Sequence, residues 1–210
     1  MPRPRFAKLA PEKRHRILEV AAYEFAGHGF SGASLNRIID RAGISKGATY
    51  YYFDDKADLY AAVVQHGWGA LSPDEPLDVT TLRRETFWPV LAGHYDDMVE
   101  RARAQPWLAA VGKLVYGRAP SPEISHLVAD EFARVRSWLG ALVAHGQAIG
   151  AVRADVPSEL LLVVLMGALE AADRWVVDHP HALGGSGDDE VSPALFHMLR
   201  RLVEPPENGS

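Results

Sequence analysis

Apolar residues recur at helical spacing through most of the chain, and the places where that spacing stops divide it into elements. From Pro11 to His28 the residues Ile17, Leu18, Ala21, Ala22 and Phe25 form one stripe, which predicts a first amphipathic helix ending at Gly29. Two short helical patterns follow between Ser34 and Phe53, broken at Ala42-Gly43-Ile44-Ser45. Gly43 suits the left-handed turn after a helix because it has no Cβ to clash, and Ser45 can cap the next helix by accepting a backbone N–H. Ile38 and Ile44 should pack these two helices together, and the first helix with Phe30 should cover them to complete a three-helix core. Asp54-Asp55 then offers a capping carboxylate to a fourth helix running from Lys56 through Leu59, Tyr60, Val63 and Val64 towards Trp68.

Residues 71–80, with two prolines and three acids, read as a connecting loop. Beyond it the helical period returns. One helix is expected from about Thr81 to Ala104, with Trp88, Leu91, Tyr95 and Met98 on one face and Pro89 inside it as a kink. A shorter one covers about Pro106 to Tyr116, and Ser121-Pro122 begins a long one to about Ala148. Pro157 opens a helix through Leu160, Val164, Gly167, Ala171 and Trp175, and a last helix spans about Ser192 to Val203. The stretch HPHALGGSGDDE between them is a loop by composition, and the tail EPPENGS should fray. No alternating stretch of strand length interrupts the series, so the fold class is all-α. The expected division is a small domain over residues 1–60, including a basic arm at 1–10, and a larger helical domain over 61–205.

The second of the two short helices is unusual, because Lys46, Ala48, Tyr50 and Tyr51 leave a polar and aromatic face outward at its start. That is the layout of a helix-turn-helix reader, whose second helix enters the major groove of DNA. Charge sharpens the picture. The net charge is −5, but residues 1–60 carry 10 Lys and Arg against 7 Asp and Glu, leaving +3, while residues 61–210 carry 12 against 20, leaving −8. A basic front suits contact with phosphate. Arg3, Arg5 and Lys8 make the first ten residues a flexible basic arm that can follow phosphates or enter the minor groove. Lys13, Arg14 and Arg16 oppose the dipole of the first helix, and phosphate contact is one reason to place them there.

Other chemistries recede. With no cysteine, disulfides, thiolate metal sites and cysteine nucleophiles are excluded. A serine nucleophile elbow, a P-loop and a dinucleotide fingerprint are absent, and His179 and His181 lie in a polar loop, so no enzyme activity, cofactor or metal is expected. The basic start leads into no apolar run of signal-peptide type, and Leu160–Leu169 is far short of the roughly 20 residues a membrane span needs, so a cytoplasmic protein without membrane attachment is expected.

The run Gly29-Phe30, Ser34-Leu35, Ile38, Ala42-Gly43-Ile44-Ser45-Lys46-Gly47, Tyr50, Phe53, Lys56 and Leu59 resembles the TetR family of bacterial transcriptional regulators. The resemblance covers residues 11–65 and implies a helix-turn-helix DNA-binding domain followed by a ligand-binding and dimerisation domain. It implies a homodimer, formed through the helices at 157–178 and 192–203, that binds a palindromic double-stranded DNA operator and is released by a small-molecule effector. Carried over by position, Ser34, Tyr51 and Lys56 would touch phosphate, and Asn36, Lys46 and Ala48 would reach base edges. Ser45 belongs to the same DNA-facing set, Gly47 would let the backbones approach closely, and Tyr50 would pack against or contact the DNA backbone. Ile39 departs from the family, which usually has a small alanine there, and the larger side chain bears on how the two helices pack.

The effector site is less defined. Trp88, His94, Tyr95, Met98, Trp107, Phe132, Trp138 and Trp175 can line an apolar or aromatic ligand cavity or can be packed core, and the residues alone leave both open. The function expected is a ligand-responsive transcriptional regulator, a repressor by the resemblance. The alternative is an enzyme or small-molecule binding protein that uses the aromatic-rich C-terminal cavity, with the front domain serving only as structure.

Overall fold

Helices that bury apolar residues along one side build this chain. The computed structural model describes residues 3–45, 47, 51–72, 77–116, 122–179, 182 and 191–206, with the side chains of 122–127 set aside. Every regular element among the described residues is helical. In chain order these are α1 (Pro4–Ala7), α2 (Pro11–Gly32), α3 (Leu35–Ala42), α4 (Lys56–Leu71), α5 (Arg84–Ala104), α6 (Trp107–Tyr116), α7 (Pro122–Ala148), α8 (Ser158–Asp178) and α9 (Ser192–Val203). A short 3-10 turn, Val79–Thr81, precedes α5 and is capped by Asp78, which accepts the Thr80 N–H at 2.9 Å. The helix expected from Thr81 therefore begins three residues later, because Asp78 spends its carboxylate on a separate turn.

The chain separates into two compact units, residues 1–71 with 105–131 and residues 72–104 with 132–210. In the first, α2 packs on α3, α4 and α6. Ile17, Leu18, Ala21, Ala22 and Phe25 of α2 are all buried, as the stripe predicts, together with Ile38, Phe53, Leu59, Tyr60, Val63 and Val64. The Tyr60 hydroxyl donates to the Leu114 carbonyl at 2.9 Å, and burial pushes it up to about 12. Gly29, at φ 68 and ψ 172, breaks the regular part of α2 where the sequence places its end.

Three rings join α2, α4 and α6. His15 Nδ1 and His66 Nε2 lie 3.1 Å apart, and the ring of Trp107 stands 5.3 Å from each imidazole. A hydrogen bond between two imidazoles needs one proton between them. Burial, His15 and Arg14 together hold His66 below its ordinary value of 6.5. Trp107, the remaining aromatic of the cluster, spends its indole N–H on Gln105 at 3.2 Å. Because the folded value is the lower one, the unfolded chain binds the extra proton more readily, and stability falls as pH drops below 6.5. The melting temperature of the wild type should decline through that window, and His66→Gln, which cannot titrate, should flatten the decline.

In the second unit the core is built from Phe87 and Leu91 of α5, Leu139, Leu142 and Val143 of α7, Leu161 and Leu165 of α8, and Val203 of α9. Ala151 and Val152, in the turn after α7, close it. The turn is tied by Gln147, whose amide donates to the carbonyls of Arg153 and Val156 at 2.9 and 3.0 Å. None of the described helices is long and apolar enough to cross a membrane.

Candidate nucleic-acid interface

The site grows from one fully buried acid. At helical spacing Glu24 falls on the apolar stripe of α2, a turn beyond Ala21 and two turns beyond Ile17, and its exposure is 0 %. Its Oε1 accepts the backbone N–H of Ser34 at 2.9 Å and Nε of Arg37 at 2.7 Å. Arg37 in turn donates through Nη2 to the Gly32 carbonyl at 3.0 Å. Arg41 Nη1 lies 4.0 Å from the other carboxylate oxygen, and His28 Nδ1 lies 3.6 Å from Oε1. The hydrogen bond from Arg37 holds the Glu24 carboxyl below its ordinary value despite burial, helped by the Ser34 N–H and the nearby cations. One carboxylate thus clasps α2 to the first turn of α3.

That first turn is capped in two directions. Glu24 takes the Ser34 N–H, and Ser34 Oγ accepts the Arg37 N–H at 3.4 Å. At its other end α3 stops at Gly43, in the left-handed region at φ 67 and ψ 36, with its N–H returned to Asp40 at 3.3 Å. The Ile44 N–H bonds the Ile39 carbonyl at 3.2 Å, which completes the turn. Ile38, Ile39 and Ile44 are all buried, so the larger side chain at 39 is accommodated in the core.

The start of α4 closes the site from the other side. Asp55 Oδ1 caps the helix by accepting the Asp58 N–H at 2.9 Å, and Asp58 Oδ2 accepts the N–H of the preceding Asp54 at 3.1 Å. Lys56 Nζ donates to the Ser31 and Ala33 carbonyls at 3.1 and 3.3 Å and stands 4.8 Å from the centre of the Phe30 ring. Lys56 therefore joins the α2–α3 connection to α4, immediately beside Ser34.

Of the residues singled out for DNA, Ser34 is the cap of α3 and Asn36 is exposed on its first turn. Ser45 and Gly47 are exposed, Gly47 in helical conformation, and Tyr51 is helical and 45 % exposed. Lys46, Ala48 and Tyr50 lie outside the described residues. The arm differs from the flexible tail expected of residues 1–10. Residues 4–7 form α1, and Phe6 is buried against Phe53, ring centres 4.7 Å apart. Sequence reading missed Phe6, Glu24 and Arg37. The acid on the apolar stripe was the available signal for Glu24.

The aromatic candidates for an effector site are spread. Trp88 donates its indole N–H to the Ala151 carbonyl at 3.2 Å and packs on the second unit's core. Tyr95 meets Phe196 at 5.4 Å, and burial pushes its hydroxyl up to about 12, with Asp173 and Asp96 adding to the effect. His94 Nε2 is buried with no hydrogen-bond partner among the described residues. Phe132 is half-buried, while Met98, Trp138 and Trp175 are exposed. Trp107 belongs to the first unit, in the cluster with His15 and His66.

A capped helix, a left-handed glycine turn and an exposed aromatic helical segment define a DNA-binding domain of helix-turn-helix type. Residues 17–63 match the family model described as bacterial regulatory proteins, tetR family. The "Probable acrEF/envCD operon repressor" of Escherichia coli (strain K12) is 39 % identical over 216 residues, covering 95 % of this chain and 90 % of that one. The "HTH-type transcriptional repressor SCO4008" of Streptomyces coelicolor is 27 % identical over 198 residues, covering 90 % and 94 %. The crystal structure of a TetR family transcriptional regulator from Chloroflexus aurantiacus J-10-FL superposes with a TM-score of 0.60 at 25 % identity, covering 96 % of this chain and 94 % of that one. The chain belongs to the TetR family of bacterial regulatory proteins, and it is a DNA-binding transcriptional regulator.

Proposed function

We propose that this protein is a ligand-responsive repressor that binds a palindromic operator as a homodimer and is released by a small apolar or aromatic effector. The observation that carries the reading is the clasp of Glu24 on Ser34 and Arg37, which fixes the first helix of the reader while Asn36 and Tyr51 remain exposed. Asn36, Lys46 and Ala48 are assigned to base edges, and Ser34, Tyr51 and Lys56 to phosphate. Ser45, Gly47 and Tyr50 complete the DNA-facing set. Lys46→Ala should relax base preference, whereas Lys56→Ala should weaken all sequences alike. Anisotropy of a labelled duplex from immediately upstream of the protein's own coding sequence tests the reading. Retention that weakens steeply with salt and exceeds that of a scrambled duplex is expected, and equal weak binding to both would sink it.

The dimer is assigned to α8 and α9. Leu160, Val163 and Val164 of α8 and Met198 and Leu202 of α9 are exposed, with Val163 at 54 % and Met198 at 62 %. On α8 the small residues Gly167 and Ala171 leave room for a second helix to approach, since a Cβ at Gly167 would meet nothing within 4 Å. Exposed apolar side chains on two helices that pack on each other support an interface there. Val163→Glu together with Met198→Glu should convert a dimer to a monomer in sedimentation velocity and cost most of the operator affinity, because one reader then meets one half-site. A variant that still sediments as a dimer would move the interface elsewhere.

The effector is assigned to the second unit, with Trp88, Tyr95 and Phe132 as candidate contacts and His94 Nε2, which has no hydrogen-bond partner among the described residues, as a polar anchor. A ligand can release the operator only by binding the released state more tightly than the bound one. Mass spectrometry of small molecules that co-purify with the native protein identifies the class, and their loss from His94→Phe would support the anchor.

A further inference from the structure

The first unit contains a docked arm that the reader does not need for its own three-helix core. The Arg3 backbone N–H donates to the carbonyl of Tyr52, the last helical residue before Phe53, at 2.9 Å. Arg3 Nε donates to Asp54 Oδ1 at 2.8 Å. Phe6 is 4 % exposed, with its ring 5.9 Å from Tyr52 and 4.7 Å from Phe53. These anchors on both sides fix the backbone at Arg5. Its guanidinium carbon stands 4.3 Å above the ring centre of Tyr51.

The two arginines are therefore not equivalent. Arg3 has its charge matched by Asp54, whereas Arg5 forms no ion pair among the described residues and remains exposed. Stacking on an aromatic face satisfies the flat surface of a guanidinium and leaves its N–H edge to the solvent, which is the edge that grips phosphate oxygens. Whatever Tyr51 touches is within reach of that edge.

We infer that Arg5 is a phosphate-binding residue of the DNA interface, aimed by its stack on Tyr51 and by the anchors at Arg3 and Phe6. Residues 3–6 are then a built part of the reading head. The inference rests on the operator-binding reading above and adds one cation to its phosphate contacts.

The test is anisotropy of the full-length protein on the duplex upstream of its own coding sequence, over a range of salt, for wild type, Arg5→Ala and Arg5→Lys. Loss of one phosphate contact should reduce the slope of log affinity against log salt by about 0.9 and weaken binding several-fold, on this duplex and a scrambled one alike. Arg5→Lys should restore the slope, since the charge returns, while recovering only part of the affinity, since the planar fork does not. A role confined to holding the helix would weaken Arg5→Ala without moving its slope, and that result overturns the inference. So does an Arg5→Ala protein indistinguishable from wild type. If the melting temperature changes, the slope still decides, because partial unfolding reduces the active fraction and not the ions released per bound molecule. Wild-type protein that retains no duplex at low salt overturns the operator reading itself, and this inference with it.

Discussion

Glu24→Ala should destabilise the protein by about 1–3 kcal/mol and cost it operator binding. The substitution removes the acceptor of the Ser34 N–H and of Arg37 Nε together, and it leaves a cavity at a position of 0 % exposure. The cost comes from the cavity and from the half-buried Ser34 N–H left without its acceptor, whereas the exposed Arg37 guanidinium can turn to water. Ser34 and Arg37 belong to the first turn of α3 and its cap, so the loss falls on the frame that places the reader. Glu24→Gln, which retains an acceptor but not the charge, should lie between. The pH dependence has a definite sign. The folded carboxyl is held below its ordinary value of 4.5, so its contribution is complete above that pH and is lost as pH falls through the lower folded value. Thermal melting between neutral pH and pH 3 checks both points: wild type should lose stability in the acid window, and Glu24→Ala should start lower and lose less there.

Gly146→Ala is the second, and its sign is what matters. On helix propensity alone, alanine for glycine inside α7 should stabilise by about 1 kcal/mol. Packing predicts the reverse. A Cβ at this position would lie 2.9 Å from Phe87 Cζ and 3.1 Å from Val152 Cβ, and would press on Val152 Cγ2. Phe87 and Val152 are 1 % and 2 % exposed, so neither has space to withdraw into. Overpacking of this kind costs about 1–3 kcal/mol, and the net result should be a lower melting temperature. A Gly146→Ala protein that melts above wild type would show that the second unit's core yields more readily than its packing suggests.

The helices were legible because their signals are local. The stripe of α2, the Asp55 cap, the proline at the start of α7 and the glycine at 43 each act within a turn or two, and α9 begins and ends at the residues the pattern gives. What escaped depends on distant partners. The place of Glu24 on the apolar stripe marks it as unusual, but its role appears only when Ser34 and Arg37, ten and thirteen residues on, are folded onto it. Phe6 reads as part of a loose basic tail until Tyr52 and Phe53 supply its seat. The eight effector-site candidates illustrate the opposite difficulty. Trp107 and Trp175 have the same composition signal, yet one is enclosed by two histidines and the other is 42 % exposed and stacked on His179. Side-chain chemistry alone does not distinguish a core, a pocket wall and an interface.

The reading head therefore consists of more than the two helices of the motif. The clasp at Glu24 sets α3, Lys56 joins the α2–α3 connection to α4, and the arm seats the segment that ends at Tyr52. The measurement that tests the central claim most directly is a DNase footprint of the wild-type protein on the DNA upstream of its own coding sequence. The account predicts a protected tract with two half-sites related by two-fold symmetry and centred about 10 base pairs, one helical turn, or a multiple of that apart. Protection that never rises above the background of unrelated sequence, at salt low enough to favour every phosphate contact, would contradict it.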